Sequence, residues 1–129
     1  MKKKLIIIFV SLIIIFFIIF KLTKAPIISK KTYLKDNKEY KNIDKNNIYS
    51  IEINKYTEGG INSKLITNQE EINNLYQTLM NIKYGEETEM ACDDNTTIYV
   101  INFNDGTNKK IEIECDWIII DNKRYLIEK

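Results

Sequence analysis

An apolar run over residues 5–20, interrupted only by Ser11, stands near the start of the chain and limits what this chain can become. As a helix rising about 1.5 Å per residue, the run spans about 24 Å. The apolar core of a bilayer is about 30 Å thick, so the span is short. Lysines on both sides of the run can reach the headgroups with their long side chains. Residues 1–22 are therefore predicted to be a single membrane anchor that contacts the membrane through residues 5–22.

The sequence favours an anchor that stays attached, with a cleaved signal peptide as the alternative. The best match to a cleavage site ends at Ala25, and Pro26 follows it directly, which should impede cutting. Lysines flank both ends of the apolar run, so the positive-inside rule alone does not fix the orientation. A short basic tail before an apolar run is typical of an export signal. The domain behind the anchor is therefore expected on the extracytoplasmic side of the cell membrane.

Charge is segregated along the chain. Residues 1–47 carry eleven lysines against three carboxylates, net +8, whereas residues 48–129 carry eight basic against fifteen acidic side chains, net −7. The pattern predicts a basic, Lys- and Asn-rich stalk over 23–47 and a small acidic domain over 48–129. An acidic domain argues against nucleic acid as a partner, because binding to nucleic acid depends on neutralising phosphates.

Behind the stalk, the pattern predicts a β-hairpin and one amphipathic helix. Residues 48–56 alternate apolar and polar side chains, and Gly59-Gly60 marks a turn before a partner strand over 61–66. Thr67 and Glu70 fit a capping box at the start of a helix, and Gly85 is predicted to end this helix. Apolar residues at helical spacing form one stripe: Ile72, Leu75, Tyr76, Leu79 and Met80.

The remaining strands are predicted to form an antiparallel meander. Residues 97–103 are largely apolar on both faces, which is typical of a central strand. Asp105-Gly106 supplies a tight turn, and apolar segments over 111–115, 117–120 and 124–128 follow. The predicted fold class is α+β: an N-terminal single transmembrane helix, then a β-hairpin, one amphipathic helix and a three- to four-strand antiparallel meander.

The chain contains no histidine, which removes the commonest general base and the commonest metal ligand. Its four glycines form no phosphate-binding loop. Catalysis by two carboxylates stays formally open, but carboxylates on an acidic surface are usually only solvated. The chain is therefore predicted not to be an enzyme, and no catalytic residue, cofactor or metal site is assigned.

Cys92 and Cys115 are the only cysteines. A fold at Asp105-Gly106 places Cys115 opposite about position 96, close to Cys92 in the preceding loop. A disulfide would close a loop of roughly 24 residues and stabilise the domain by about 3 kcal/mol. It is favoured for an exported domain, and two free thiols are the alternative. Asp93, Asp94 and Asp116 would then lie near one another, but their spacing matches no calcium loop.

Three stretches carry a resemblance: ITNQEEINNLYQTLMNI, IYVINFNDGTNKKIEIE and IIIDNKRYLIEK. Together they resemble small domains of unknown function in membrane-anchored or lipoprotein-like proteins of low-GC Gram-positive bacteria. The resemblance covers residues 48–129 and implies an extracytoplasmic α+β domain without catalytic residues. No cysteine closely follows the apolar run, so the chain lacks the lipid-attachment motif of the lipoprotein members.

The expected function is to present a small, non-enzymatic interaction or sensing domain on the outer face of the membrane. One alternative is an immunity- or inhibitor-type protein that neutralises a basic toxin or enzyme, and a second is a cytosol-facing membrane adaptor. The candidate interaction surfaces are the open edge of the sheet, which could accept an extended partner, and an acidic loop over 86–94. The acidic candidates are Glu86, Glu87, Glu89, Asp93 and Asp94.

Overall fold

The computed structural model describes residues 2–23, 31–92 and 94–129. Helix α1 (Lys2–Thr23) contains 22 residues, which corresponds to about 33 Å of helix. Its span Lys2–Lys21 has a mean hydropathy of 2.8, and none of that span is buried. By length and composition α1 is a candidate membrane span, as the sequence predicts. The helix is longer than the apolar run because the flanking lysines also adopt helical backbone.

The second part of the described chain is an antiparallel sheet with one helix, which confirms the α+β class. The sheet has eight strands in the order β1-β4-β8-β7-β6-β5-β2-β3, where five or six strands were predicted. The strands are β1 (Thr32–Tyr33), β2 (Ile48–Thr57), β3 (Gly60–Ile66), β4 (Lys83–Thr88), β5 (Thr96–Phe103), β6 (Asn108–Glu114), β7 (Trp117–Ile120) and β8 (Lys123–Ile127).

The hairpin and the meander form where the sequence predicts them. Strands β2 and β3 pair without interruption from Ile51↔Ile66 to Thr57↔Gly60. Strands β5 to β8 form the meander, and β5 also pairs with β2, so it is a central strand. The turn between β5 and β6 uses Gly106 at φ 85°, a conformation that glycine adopts without steric cost.

Helix α2 (Gln69–Met80) begins one residue later than the predicted capping box implies. The side chain of Asn68, rather than that of Thr67, accepts hydrogen bonds from the backbone N–H groups of Glu70 and Glu71. Asn and Thr are both good N-cap residues, so the sequence pattern alone does not choose between two adjacent candidates. The helix ends at Met80, and Gly85 lies within β4 instead of ending the helix.

The predicted stalk over 23–47 differs from the structure in its second half. Residues 31–47 pack against the sheet, with Leu34 fully buried and Tyr40 only 6% exposed. The backbone N–H of Leu34 donates to the oxygen of Ile82 at 2.8 Å. Lysines and asparagines dominate the composition of this segment, but a few apolar side chains are enough to seat it on the core. The folded unit therefore starts near residue 31, and residues 24–30 of the predicted stalk lie outside the described part of the chain.

The predicted acidic loop is also partly wrong, because its first residues form β4. This strand pairs with β8 on one side and with β1 on the other. A register shift between Tyr84 and Glu87 marks a β-bulge, which adds a residue to the strand and disturbs the alternation of its side chains.

The core lies on one face of the sheet. Residues directly opposite one another on antiparallel strands point to the same face, and Ile51 lies opposite both Ile66 and Ile101. Helix α2 and residues 31–47 contribute side chains to the same core. Besides Leu34, Ile72, Leu79 and Met80, the core of the described chain contains eight buried residues of the sheet: Ile48, Ile51, Ile66, Tyr84, Ile101, Ile111, Ile118 and Ile120.

Candidate functional site

The opposite side of the sheet, called here the open face, carries large apolar side chains that do not belong to the core. The pairings Ile98↔Glu112, Glu112↔Ile119 and Glu114↔Trp117 place these residues on one face. Val100 lies two residues from Ile98 on the same strand and so shares this face. All four apolar side chains are half-buried by their neighbours on the sheet, and none contributes to the buried core.

Three more apolar side chains extend the open face toward the sides of the sheet. Leu126 lies opposite Trp117 and is 46% exposed. On β3, Ile61 lies opposite Tyr56 and is 67% exposed, and Leu65 is 60% exposed. The apolar side chains of β5 and β7 do not form one patch, because Glu112 lies between Ile98 and Ile119. Exposed apolar surface rimmed by polar residues is nevertheless a mark of binding sites.

An ion pair crosses the open face above β7. The Nε atom of Arg124 on β8 lies 2.8 Å from Oε2 of Glu114 on β6, and the Glu114 side chain is only 12% exposed. The hydrogen bond to Glu114 and the charge of that carboxylate raise the pKa of Arg124. A partly buried, charge-assisted hydrogen bond holds both side chains in one geometry, so the apolar residues beside them have fixed polar neighbours.

Among the predicted acidic candidates, Glu87 lies opposite Tyr125 and so on the core side of the sheet, whereas Glu86 lines a surface pocket together with Leu126 of the open face. Glu86 and Glu87 belong to β4, Glu89 and Asp94 follow it, and all four side chains are exposed. Among the described residues none of these four carboxylates forms an ion pair within 4.0 Å. Asp93 lies outside the described residues. The exposed carboxylates therefore contribute negative potential around β4 and the segment that follows it.

A disulfide joins Cys92 to Cys115, as the sequence predicts, and their Cα atoms are 6.2 Å apart. The N–H of Cys115 also donates to the oxygen of Asn95 at 2.9 Å. The observed register pairs Thr96 with Glu114, one residue from the predicted pairing. The bridge holds the acidic segment against the turn between β6 and β7, immediately beside Glu114 and Trp117.

The described residues contain no group of three His, Cys, Asp or Glu side chains able to hold a metal ion. The Oδ1 atom of Asp116 instead lies 3.0 Å from the Nζ atom of Lys129.

The open face is the surface that sequence reasoning missed. The alternation over 97–103 shows apolar residues on both faces of β5, which predicts a strand covered on both sides. The structure covers one side only, since α2 and residues 31–47 both pack on the core face. The number of predicted helices could have revealed the open face. The sequence predicts one amphipathic helix behind the anchor, and one helix cannot cover both faces of a sheet.

Comparison of the chain with protein-family models, with curated proteins and with solved structures gives no match. Function is therefore inferred from the chain's own residues and their arrangement.

Proposed function

We propose that this chain is a single-pass, membrane-anchored, non-enzymatic interaction protein whose α+β domain faces outward and binds a protein through the open face. The observation that carries the proposal is a sheet face that neither α2 nor residues 31–47 cover, on a chain with a candidate membrane span. Apolar side chains of β5 and β7 lie on this face, on either side of a charged row that β6 contributes: Lys110, Glu112 and Glu114. A small domain exposes such a surface at a cost in solubility, which is offset when a partner covers it.

The disulfide supports the outward orientation. Disulfides persist in oxidising compartments and are rare in the cytosol, where thiols are kept reduced. Cys92 and Cys115 are bridged, so an extracytoplasmic domain is the consistent arrangement. A membrane-impermeant thiol reagent applied to intact cells tests this directly. Labelling of intact cells only after reduction is expected, whereas labelling only after lysis and without reductant would place the domain in the cytosol as a membrane adaptor.

The net negative charge of the domain indicates what kind of protein could bind it. Residues 31–129 carry thirteen basic and eighteen acidic side chains, net −5. Exposed carboxylates lie on β4 and in the segment that follows it, and Glu86 lines a surface pocket together with Leu126 of the open face. Complementary potentials steer association and fix the orientation of partners. The partner that fits is a protein with an apolar contact area and a basic rim.

Site-specific photo-crosslinking in cells that make the full chain tests the open face. A photoreactive amino acid replaces Leu126, which is exposed on the open face, or Gln77, which is exposed on α2. We expect a discrete crosslinked species from position 126 and none from position 77. The same products from both positions would show that the open face is not a selective binding surface.

The acidity of the domain favours one second candidate, an immunity- or inhibitor-type protein that neutralises a basic toxin or enzyme. A combined Glu86→Gln, Glu87→Gln, Glu89→Gln and Asp94→Asn variant separates the two functions. For an inhibitor of a cationic protein, the crosslink from position 126 should fall steeply and should already depend strongly on salt in the unmodified chain. For an interaction domain held mainly by apolar contacts, the yield should change by less than about twofold.

A further inference from the structure

The two edges of the sheet differ greatly in length and exposure. Strand β1 at one edge has only two residues, whereas β3 at the other edge has seven. All residues of β3 except Ile66 are exposed, and the pairing with β2 is continuous without a bulge. Short strands, bulges, prolines and charged side chains, lysine above all, are the usual protections of an edge, and of these β3 has only Lys64. Its outer row of backbone donors and acceptors is therefore available for another strand.

We propose that β3 pairs with β3 of a second copy of this chain, antiparallel and centred on Ser63, to form a continuous sheet across a two-fold axis. The inference adds to the proposed function: it rests on the membrane anchor for the strength of the contact but does not depend on binding through the open face. In this arrangement Ile61 lies opposite Leu65 of the second copy, and Asn62 lies opposite Lys64 of the second copy. Each relation occurs twice because the contact is symmetric.

The side-chain pattern of β3 supports this register. Ile61 and Leu65 both lie on the open face and are both largely exposed, and the register pairs them across the interface, where an apolar cross-strand pair is stabilising. Lys64 lies opposite a neutral amide and not opposite its own copy. The strand is thus close to palindromic in polarity, with apolar residues at its two ends and polar residues between them.

The neighbouring symmetric registers are less favourable. Pairing centred on Lys64 would place two lysines directly opposite each other, which is destabilising. Pairing centred on Asn62 would place Ile61 opposite the hydroxyl-bearing Ser63 and leave Leu65 opposite the turn at Gly59. Only the register centred on Ser63 matches apolar with apolar residues and keeps the lysines apart.

Membrane attachment strengthens such a contact. An edge-to-edge pairing of one strand buries little surface, so a weak dimer is expected for a free domain. Anchors in the same membrane confine two domains to a thin layer and raise their effective concentration. The test accordingly uses the full chain in lipid vesicles at a low and constant protein-to-lipid ratio.

The test is crosslinking with a short thiol-specific bifunctional reagent. Ser63→Cys places a thiol on the proposed two-fold axis, and Gln77→Cys places one on the exposed side of α2 as the matched control. We expect crosslinked dimer from Ser63→Cys at a yield at least severalfold above that from Gln77→Cys. Equal yields from the two variants would overturn the proposal.

Charge substitutions then test the register. In the Ser63→Cys background, Asn62→Lys would place a lysine opposite Lys64 of the second copy, and the dimer yield should fall severalfold. Adding Lys64→Glu to Asn62→Lys makes the facing charges opposite, so the yield should recover. Lys55 lies opposite Asn62 within the same chain, and both variants share that like-charge contact. Positions 62 and 64 also share one face of the strand, so the yields are compared once urea unfolding shows that the two variants are equally stable. No recovery in the double variant would refute this register.

Discussion

Among the described residues, Tyr40 has the largest shift in pKa. Its hydroxyl donates a hydrogen bond to the backbone oxygen of Lys110 at 3.0 Å. Burial, followed by the charges of Glu39 and Asp121 and a contribution from Tyr84, raises the pKa of Tyr40 from 10.0 to about 12. The neutral phenol is therefore favoured in the folded state. Its contribution to stability is complete below about pH 10 and is lost as the pH rises through about 12.

Tyr40→Phe should change the pH dependence of stability. Near pH 8 the variant should be less stable by about 1 kcal/mol, because it loses one hydrogen bond. Between pH 9.5 and 11.5 the unmodified chain should lose about 2 kcal/mol more than the variant, which lacks the titrating hydroxyl. Urea unfolding across this pH range measures the difference. Two curves that stay parallel would show that Tyr40 does not titrate in this way.

The N-cap of α2 provides a prediction with a control one residue away. The Oδ1 atom of Asn68 accepts from the backbone N–H of Glu70 at 2.9 Å and from that of Glu71 at 3.2 Å. Asn68→Ala should therefore lower the free energy of unfolding by about 1 kcal/mol. Thr67→Ala should change it by less than about 0.5 kcal/mol. The reverse order in thermal unfolding would mean that Thr67 is the cap after all.

At the scale of elements, the segment 31–47 is part of the folded unit and not a spacer. Leu34 is fully buried, so Leu34→Ala should lower the free energy of unfolding by about 2–5 kcal/mol. Lys38→Ala, at an exposed position of the same segment, should change it by less than about 0.5 kcal/mol. Chemical unfolding of both variants measures the contrast. Equal, small effects of both substitutions would show that residues 31–47 are a solvated stalk and not part of the core.

The disulfide between Cys92 and Cys115 is a second contribution to the free energy of unfolding. Cys92 and Cys115 are 23 residues apart in sequence, and closing a loop of that length stabilises the folded state by about 3 kcal/mol in the chain-entropy model. A Cys92→Ala/Cys115→Ala variant should lose this amount. Added reductant should destabilise the unmodified chain by a similar amount and leave the variant unchanged. A response of the variant to reductant would point to a different cause.

Periodic patterns explain which elements the sequence predicts. The stripe of α2, the alternation of β2 and the Asp105-Gly106 turn each involve residues in regular repeats, and those elements are present in the structure. Strand β4 was missed because Gly85, Glu86 and Glu87 resemble a polar loop. Its backbone pairing with β8 and β1, which a local pattern does not contain, makes it a strand. Leu34 and Tyr40 were missed because an irregular segment has no period.

In the candidate site, too, features with a local sequence pattern could be predicted, and features that depend on the whole fold could not. The disulfide could be predicted because a turn fixes the register of β5 and β6, and the register fixes the neighbours of Cys115. The open face could not, because it depends on which side of the sheet α2 and residues 31–47 cover. That choice is made by the whole fold, and each strand of the meander alone is compatible with either side being buried.

At the scale of the whole molecule, one apolar helix and one acidic domain impose different environments on the same chain. The span Lys2–Lys21 has a mean hydropathy of 2.8 with none of it buried, so in water α1 would expose a large apolar surface. Residues 31–129 carry net −5 and have their own core. We therefore expect lipid to surround the helix and water to surround the domain.

Alkaline carbonate extraction of membranes containing the full chain tests this arrangement. We expect the unmodified chain to stay in the membrane fraction with its N-terminus intact by mass spectrometry. Each aspartate placed near the centre of a span costs about 3 kcal/mol, so Ile13→Asp/Ile14→Asp should move much of the chain to the soluble fraction. Lys2→Gln, at the end of the helix, should have little effect. A soluble product that lacks the first 25 or so residues would instead identify α1 as a cleaved signal peptide. The domain would then be secreted, and the gain in effective concentration that favours pairing through β3 would be lost.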